Sequence, residues 1–361
     1  MESSLGKYSA VLAGVLAALL GVAAACSSSS KSSSSATTAA ATAATAAAAA
    51  GAGGTPLPAA QLSLVAYSTP QAAYDQIIKA FQATPEGKNI TFAESFGASG
   101  DQSRAVESGL PADIVAFSLT PDMTRLVKDG IVASDWSSNP YKGMVTDSVA
   151  VLVVRKGNPK HITTWSDLTK PGIQVITPNP FTSGGARWNV MAAYGAASDK
   201  GANDAAGITY LNDLFHNVPV QDSSARAQLQ TFVGGKGDVM IDYENDAIFA
   251  QQHGAAVDYV IPDQTILIEN PVAVTAKSSH PAQAKAFLDF LYTPTAQQIF
   301  AKNGYRPIVS GTAPASEFKT PSGLFTINDL GGWTAVNTKF FDPTSSVMAT
   351  IENKLGVPTK K

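Results

Sequence analysis

The sequence beyond Pro58 repeats one unit, in which a short apolar run is followed by a segment with apolar residues at helical spacing. In the first unit, residues 62–67 form the apolar run, and Tyr74, Ile77 and Phe81 mark one face of the helix that follows. Thr69 is predicted to cap this helix, with Pro70 at its first position. The same unit is predicted at 90–93 with 100–108, 114–117 with 121–128, 175–177 with 184–197, 218–220 with 225–232, and 239–243 with 244–252. This repetition predicts an α/β fold with largely parallel sheets.

Two further apolar runs, at 148–155 and 272–276, are predicted strands separated by more than a hundred residues of complete strand–helix units. An insertion of that length predicts a second lobe, with crossings near residue 155 and within 262–272. The length of 361 residues also favours two lobes. The predicted bounds are 61–150 with 265–320 for one lobe, and 151–264 with 321–361 for the other.

The first sixty residues are predicted to be processed or disordered. Residues 1–25 resemble a signal peptide, because their apolar stretch is too short for a comfortable membrane span. Cys26 follows small residues as in a bacterial lipoprotein lipobox, although Ala23 stands where lipoboxes usually carry leucine. Residues 26–60, mostly Ser, Ala, Thr and Gly, predict a disordered tether. We expect an extracytoplasmic protein with a lipid anchor to the bacterial cell membrane at Cys26; an ordinary cleaved signal with an incidental cysteine is the alternative.

Composition excludes several classes of protein. A hydrophobic content of 45% is too high for a chain disordered throughout. The formal net charge of −3 provides no basic surface for duplex phosphates, so no nucleic-acid partner is expected. One cysteine cannot build an internal disulfide, a zinc knuckle or an iron–sulfur cluster. The histidines share no metal-ligand spacing and are expected at the surface, so neither metal nor cofactor is predicted. They are His161, His216, His253 and His280.

Three predicted strand-to-helix junctions, at 96–100, 182–186 and 223–225, combine small residues with hydroxyl groups. In parallel α/β sheets, ligands bind at the carboxyl ends of strands, where helix N-termini point toward the ligand. The first N–H groups of a helix lack partners, and the helix dipole places roughly +0.5 charge there. Each serine alone would be expected only to cap its helix. The three junctions together predict a site for a small anion held without Lys or Arg.

The same loops do not support enzyme chemistry. Ser99 is followed by Gly100 and Asp101 and does not complete a Gly-x-Ser-x-Gly nucleophile elbow. The acids of 238–246 resemble a calcium loop only in part, because apolar residues interrupt them and no central glycine is present. We therefore predict a binding protein that is not an enzyme. The alternatives from other classes are a lipoprotein enzyme that acts on anionic esters, and an adhesin.

Seven segments, in order from about residue 62 to about residue 341, resemble the periplasmic sulfate-binding proteins of ABC transporters. They are SFGASGDQSRAV, VVRKGNPK, LTKPGIQVITPNPFTSGGARWN, DSSARA, GDVMIDYENDA, YRP and LFTINDLGGW. The resemblance implies a two-lobed periplasmic-binding-protein fold of type II, with two parallel-type sheets, flanking helices and a cleft between the lobes. It also implies a monomeric receptor that captures sulfate or thiosulfate in the cleft and delivers it to an ABC permease in the membrane.

The resemblance further implies which residues bind the anion, because in that family neutral donors surround a dehydrated sulfate. The matched positions here are Ser99, Ser183, Gly184, Gly185, Ala225 and Tyr243. Arg187 and Arg226 follow two of these positions and are implied to orient peptide groups beside the anion. Direct contact of these arginines with the anion is the alternative.

Two positions depart from the family pattern. Tyr243 stands where relatives carry tryptophan, and its phenol can accept a hydrogen bond as well as donate one. If this phenol is a donor to the anion, binding is expected to weaken as the pH rises toward 10, where tyrosine ionises. Asp101 stands where relatives commonly carry lysine. Thiosulfate, molybdate and phosphate therefore remain alternative ligands.

Overall fold

The computed structural model describes residues 54–314 and 316–359. The predicted signal peptide, Cys26 and most of the predicted tether lie outside the described residues. Within the described part, no helix combines the length and apolar character that a membrane span requires. The elements up to the middle of the chain are β1 (Ala60–Tyr67), α1 (Gln71–Gln82), β2 (Ile90–Gly97), α2 (Ser99–Glu107), β3 (Ile114–Ala116), α3 (Thr120–Lys128) and β4 (Met144–Arg155).

The remaining elements follow in two groups. After a 3₁₀ turn at Trp165–Thr169 come β5 (Val175–Ile176), α4 (Gly184–Ala197), α5 (Asp204–His216), α6 (Ala225–Val233), β6 (Val239–Tyr243), α7 (Glu244–Gln252) and β7 (Val257–Val260). The last group is β8 (Gln264–Val274), α8 (Pro281–Leu291), α9 (Pro294–Lys302), β9 (Arg306–Pro307), β10 (Gly323–Phe325), α10 (Gly332–Val336) and α11 (Val347–Leu355).

The strands lie in the order β2-β1-β3-β8-β4-β6-β5. β1 pairs in parallel with both β2 and β3, and β5 pairs in parallel with β6. β8 and β4 lie between these two parallel groups and run antiparallel to their neighbours along this order. Each strand of the parallel groups is followed by a helix. β2 and β6 lead almost directly into α2 and α7, whereas β1, β3 and β5 reach α1, α3 and α4 through loops.

β4 and β8 connect the two parallel groups. β4 pairs with β8 as far as Val149, and from Ala150 onward it pairs with β6. The far end of β8 pairs with β3. Both strands lie next to the predicted crossings, so the two halves are joined by paired strands and not by loops alone.

Each half of the molecule has apolar packing on both faces of its strands. Beside β1, Leu64, Ile77 and Phe287 are fully buried on one face, and Val115 and Phe117 are buried on the other. Burying such a side chain stabilises a fold by roughly 1.5–3 kcal/mol. The half around β6 has the same layering, with Trp188 and Ile241 on one face and Val151, Met240 and Phe232 on the other. The predicted two-lobed α/β fold is confirmed.

The start of the first helix differs from its prediction. α1 begins at Gln71 with Pro70 in the capping position, and no side chain caps it. The Thr69 hydroxyl lies 3.3 Å from the hydroxyl of Tyr305 instead. The Thr69 hydroxyl thus contacts a residue far away in the sequence and does not cap the helix.

Two strand predictions also differ. Residues 218–220 provide only an isolated bridge, between Val220 and Ile176. The strand predicted at 272–276 begins earlier, at Gln264. Pro271 and the polar residues before it interrupt the apolar pattern, but the long pairing with β4 keeps this segment extended.

Candidate functional site

A small closed cavity lies where the N-termini of six helices meet. It is lined by Tyr67, Ser68, Thr69, Ser99, Ser118, Ser183, Gly184, Gly185, Ala225 and Tyr243. These residues precede or begin α1, α2, α3, α4, α6 and α7. The cavity measures about 10 Å³, which is the room that one water-sized sphere needs. Its walls admit one compact group and exclude sugars, peptides and nucleotides.

All six residues predicted to bind the ligand line this cavity. They reach it from the two parallel groups of strands, because α2 follows β2 while α4, α6 and α7 follow the strands around β6. The carboxyl ends of those strands face one another across the cavity. The tertiary structure thus brings together three junctions that are separated by at least 37 positions in sequence.

Helix α4 offers the most open set of donors. Ser183 occupies its capping position, and the Ser183 Oγ accepts a hydrogen bond of 3.3 Å from the N–H of Ala186. That bond uses a lone pair and leaves the hydroxyl hydrogen available. The N–H groups of Gly184 and Gly185 lie in the first turn, where helices have no internal acceptors. Three donors from consecutive residues therefore surround one side of the cavity.

Gly184 is required by the close approach of its helix to the opposite wall. A Cβ atom on this residue would lie 2.1 Å from the Oγ of Ser118 and 2.8 Å from a methyl of Leu119. At Gly185 the same atom would lie 3.5 Å from the Cβ of Ala225, an ordinary contact. Gly184, but not Gly185, therefore has no room for a side chain when the cavity is closed.

Ser99 contributes to the cavity in a different way. Its hydroxyl donates to the Oδ2 of Asp122 at 2.6 Å and accepts a hydrogen bond of 3.0 Å from the N–H of Ser118. The hydroxyl hydrogen is therefore turned away from the cavity, and Ser99 offers its backbone N–H at the start of α2. The next N–H, of Gly100, donates across the cavity wall to the carbonyl of Thr182 at 3.2 Å.

Among the described residues, two buried hydroxyl groups at the cavity make no well-formed hydrogen bond, the Oη of Tyr243 and the Oγ of Ser118, although the two are neighbours. Both residues are 1% exposed. Buried polar groups in folded proteins are nearly always paired, so these two mark a place for a ligand that supplies acceptors. Burial raises the pKa of Tyr243 well above 10. The phenol is therefore neutral in this closed arrangement, and the loss of binding expected as the pH rises toward 10 stays a prediction.

No carboxylate lines the cavity. Asp101, the second departure from the family pattern, forms an ion pair with Arg104 and is not among the lining residues. Behind Tyr243, burial raises the pKa of Asp242 well above its usual range, and the nearby Asp246 adds to that rise. Burial also raises the pKa of Asp246 to about 6. At neutral pH the negative charge near the cavity is therefore reduced.

Arg187 and Arg226 do not line the cavity. The Nε of Arg187 donates to the carbonyl of Pro180 at 2.8 Å, and burial lowers the pKa of Arg187 to about 10. The Nη2 of Arg226 donates to the carbonyl of Thr69 at 2.8 Å. Each guanidinium thus holds a carbonyl group in a loop that borders the cavity, and the role of orienting peptide groups beside an anion stays a prediction for both.

Four lining residues were not predicted: Tyr67, Ser68, Thr69 and Ser118. Two strand-to-helix junctions supply them, one before α1 and one before α3. Both junctions have the same composition of hydroxyl residues followed by proline, Ser-Thr-Pro at 68–70 and Ser-Leu-Thr-Pro at 118–121. The criterion that identified the other three junctions would have identified these two as well.

The histidines lie away from this cavity. His161, His216 and His253 are exposed, and His280 is half-buried. Within residues 54–314 and 316–359, no group of three or more His, Cys, Asp or Glu side chains could hold a metal ion.

Several characterised proteins are similar to this chain in fold and in sequence. The family model for bacterial extracellular solute-binding proteins matches residues 62–306. The sulfate-binding protein of Synechococcus elongatus is 42% identical over 301 residues, which are 80% of this chain and 86% of that protein. The chain belongs to the sulfate-binding protein family. The predicted resemblance is confirmed.

Two further members place the chain within this family of solute-binding proteins. The solved structure of the sulfate-binding protein SubI from Mycobacterium tuberculosis H37Rv matches with a TM-score of 0.77 and 47% identity, and covers 78% of this chain and 99% of that one. The thiosulfate-binding protein of Pseudomonas aeruginosa is 36% identical over 71% of this chain and 80% of that protein. Because these relatives are binding proteins, the family is one of solute receptors and the enzyme alternative is set aside.

Proposed function

We propose that this protein captures sulfate in the cavity between its two halves and delivers it to an ABC permease from the outer side of the cell membrane. The observation that supports this best is the lining of the cavity, which offers helix N-termini and hydroxyl groups. Two of these hydroxyls make no well-formed hydrogen bond among the described residues, and the lining contains no carboxylate, Lys or Arg. A dianion without protons satisfies such a lining, whereas a cation or a neutral apolar ligand leaves its donors unpaired.

The charge of sulfate would be balanced by dipoles. Six helix N-termini point at the cavity, and each carries roughly +0.5 charge. These dipoles are fixed by the fold, so little reorganisation is needed when the anion enters. Binding would then replace the water shell of the anion by neutral N–H and O–H donors of the protein.

The cavity should select sulfate over phosphate because sulfate carries no proton near neutral pH. Hydrogen phosphate carries an O–H group near neutral pH that needs an acceptor, and the lining side chains offer hydroxyl oxygens but no carboxylate to accept it. Leaving that O–H among donors costs about 1–3 kcal/mol. Sulfate should therefore bind at least about tenfold more tightly than phosphate, because each 1.4 kcal/mol is a factor of ten.

Thiosulfate is the second candidate ligand, because the relative from Pseudomonas aeruginosa is a thiosulfate-binding protein. It is also a dianion without protons, but its terminal sulfur is larger than oxygen and is a weaker acceptor. Molybdate is a larger tetrahedral dianion. A cavity of about 10 Å³ favours the smallest of these anions, which is sulfate.

Isothermal titration calorimetry of the purified protein against sulfate, thiosulfate, molybdate and phosphate tests this proposal. We expect one site for sulfate, with the ranking sulfate first and phosphate last. Chloride serves as the control for an unspecific charge effect. Phosphate binding as tight as sulfate binding would contradict the proposal, and so would thiosulfate binding that is tighter than sulfate.

The location proposed for the protein depends on residues outside the described part. We propose a lipid-anchored, monomeric receptor held through Cys26, with residues 26–60 as the tether. Replacing Cys26 by serine should release the protein from the membrane fraction of cells while sulfate affinity stays unchanged. Retention of the Cys26→Ser variant in the membrane would contradict the anchor.

A further inference from the structure

A second and much larger cavity lies beside the site described above. Its volume is about 510 Å³, against about 10 Å³ for the sulfate cavity. One wall comes from α2 and α3, and the other from α4 and the C-terminal segment. The lining residues are Arg104, Arg125, Phe181, Arg187, Asn337, Thr338, Phe341, Asp342, Pro343 and Thr359. We call it the arginine pocket, because three of its ten lining residues are arginines.

The three guanidinium groups differ in how closely they are paired. Arg104 forms an ion pair with Asp101. Arg125 lies 3.6 Å from the carboxylate of Glu107 and 3.8 Å from that of Asp122, distances too long for good hydrogen bonds. The Nη1 atom of Arg125 is buried and has no hydrogen-bond partner. A buried guanidinium nitrogen without an acceptor requires an explanation, and a bound anion is one.

Among the described residues, the guanidinium of Arg187 donates to two neutral groups, the carbonyl of Pro180 and the side-chain oxygen of Asn337 at 3.1 Å. Burial is the main cause of its lowered pKa, and the carboxylate of Asp122 partly offsets that effect. Arg125 and Arg104 lower the pKa further, so the three cations lie close enough to repel one another. An anion between them would reduce that repulsion.

The one carboxylate that lines the arginine pocket is directed to its own loop. Asp342 accepts hydrogen bonds from the backbone N–H groups of Thr344 at 2.9 Å and Ser345 at 3.0 Å, and from both of their hydroxyls. These bonds lower the pKa of Asp342 to about 2. Asp342 therefore stays ionised and is held by the turn after it, and among the described residues it forms no ion pair with the three guanidinium groups.

We propose that the arginine pocket is a second anion site, which binds a small oxyanion with two or more charged groups, of the diphosphate type. Guanidinium groups bind phosphate oxygens in pairs, so three of them from two walls match an anion with two charged ends. A single sulfate would fill little of a 510 Å³ cavity. A diphosphate is too large for the sulfate cavity, so the two sites separate their ligands by size.

The two sites share walls, which gives the second site a regulatory consequence. α2 and α4 enclose the sulfate cavity, and the same two helices carry Arg104 and Arg187 into the arginine pocket. A diphosphate that bridges these walls favours the arrangement in which sulfate is enclosed. Sulfate and diphosphate should therefore strengthen each other's binding by the same factor, as linkage requires. This consequence rests on the proposed function, whereas the second site itself does not.

Titration calorimetry with inorganic pyrophosphate, in metal-free buffer and without sulfate, tests the second site. We expect one pyrophosphate per protein, weakened at least about tenfold by Arg125→Gln, since a charged hydrogen bond contributes about 1.5–3 kcal/mol. Lys79→Gln is the matched control, because it removes one positive charge from an exposed position at the end of α1. Arg104→Gln provides a second pocket variant should Arg125→Gln fail to fold, as judged by its melting temperature.

Two variants that should each weaken one ligand complete the test. Ser183→Ala should weaken sulfate and leave pyrophosphate binding unchanged, whereas Arg125→Gln should weaken pyrophosphate far more than sulfate. No pyrophosphate binding at millimolar concentration overturns the second site, and so does an equal loss in Lys79→Gln and Arg125→Gln. Pyrophosphate binding to a protein that does not bind sulfate would support the pocket and contradict the proposed function instead.

Discussion

Ser99 and Ser183 show that one residue type performs two tasks at the same cavity. The Oγ of Ser183 accepts from the N–H of Ala186 and keeps its hydrogen free for an anion. The Oγ of Ser99 instead gives its hydrogen to Asp122 at 2.6 Å. The side chain of Ser183 is therefore the stronger candidate for a direct donor, and Ser99 acts through its backbone.

Ser183→Ala should weaken sulfate binding by about 1–3 kcal/mol, about 5- to 150-fold, because it removes a hydrogen bond to a charged ligand. Ala is a poorer helix cap than Ser, so a loss of stability of about 1 kcal/mol is expected as well. Calorimetry and thermal unfolding measure the two effects separately. Ser224→Ala is the matched control, because Ser224 caps α6 in the same way but does not line the cavity. Unchanged sulfate affinity in Ser183→Ala would show that Ser183 caps α4 but does not bind sulfate.

Tyr243→Phe should also weaken sulfate binding by about 1–3 kcal/mol, because the buried phenol makes no well-formed hydrogen bond among the described residues and is available to the anion. Burial holds the pKa of Tyr243 well above 10, so the phenol stays protonated as the pH rises to that value. The ratio of wild-type to variant affinity should therefore be constant between pH 6 and about pH 9.5. Calorimetry across this range measures it. A ratio that falls as the pH rises would show that Tyr243 ionises at the cavity.

At the scale of elements, the N-terminus of α4 decides how far the cavity can close. Gly184→Ala should weaken sulfate binding strongly, because its Cβ would lie 2.1 Å from the Oγ of Ser118 on the opposite wall. Gly185→Ala is the matched control, since the nearest atoms would be at 3.5 Å. We expect a loss at least about tenfold larger in Gly184→Ala, equivalent to about 1.4 kcal/mol. Equal losses in both variants, measured by calorimetry, would mean that the closed arrangement is not the binding state.

The paired strands β4 and β8 carry a like-charge pair. Asp147 lies directly opposite Glu269, and burial together with that carboxylate raises the pKa of Asp147 from 3.8 to about 7. Between these two pH values the folded chain keeps a proton that the unfolded chain releases. Stability from this group is therefore present at low pH and lost as the pH rises to about 7.

Asp147→Asn should thus stabilise the protein at pH 8 more than at pH 4.5, because it removes an ionisation that the fold opposes. Urea unfolding at several pH values measures the difference in the free energy of unfolding. Asp135→Asn is the control, since Asp135 is exposed in a loop. A stabilisation that does not depend on pH would contradict the raised pKa.

At the scale of the whole molecule, contacts across the cavity hold the two halves together. Gly100 donates to Thr182 at 3.2 Å, and Arg226 donates to Thr69 at 2.8 Å. Each bond joins a residue of the β1–β3 half to one of the β5–β6 half. An anion bound by donors from both halves would favour this arrangement over an open one. The lobe bounds 61–150 with 265–320, and 151–264 with 321–361, stay a prediction.

Small-angle scattering should therefore show a smaller radius of gyration after sulfate is added. The Gly184→Ala variant is the control, because its side chain would keep the two walls apart. It should show little or no compaction at the same sulfate concentration. An unchanged radius in the wild-type protein at saturating sulfate would indicate a site confined to one half.

Much of the site follows from local sequence. The segments 96–100, 182–186 and 223–225 end up at one cavity, because a strand followed by small hydroxyl residues and a helix places N–H donors at the carboxyl edge of a sheet. Helix α5 at Asp204–His216 and helices α8 and α9 were not predicted. Their boundaries depend on caps such as Asn203 and Thr293, which polar loops contain frequently.

Apolar periodicity determined the α/β class, because it acts over a few neighbouring residues. The resemblance of seven segments identified the family and six of the ten residues that surround the cavity. Only the tertiary structure decided which group of each residue faces the cavity. Asp122 turns the hydroxyl of Ser99 away, and Ser118 enters the cavity opposite Gly184. The tertiary structure also brings helices of both halves together to form the arginine pocket. Such contacts join residues far apart in the chain, and local patterns do not encode which distant partner a side chain will meet.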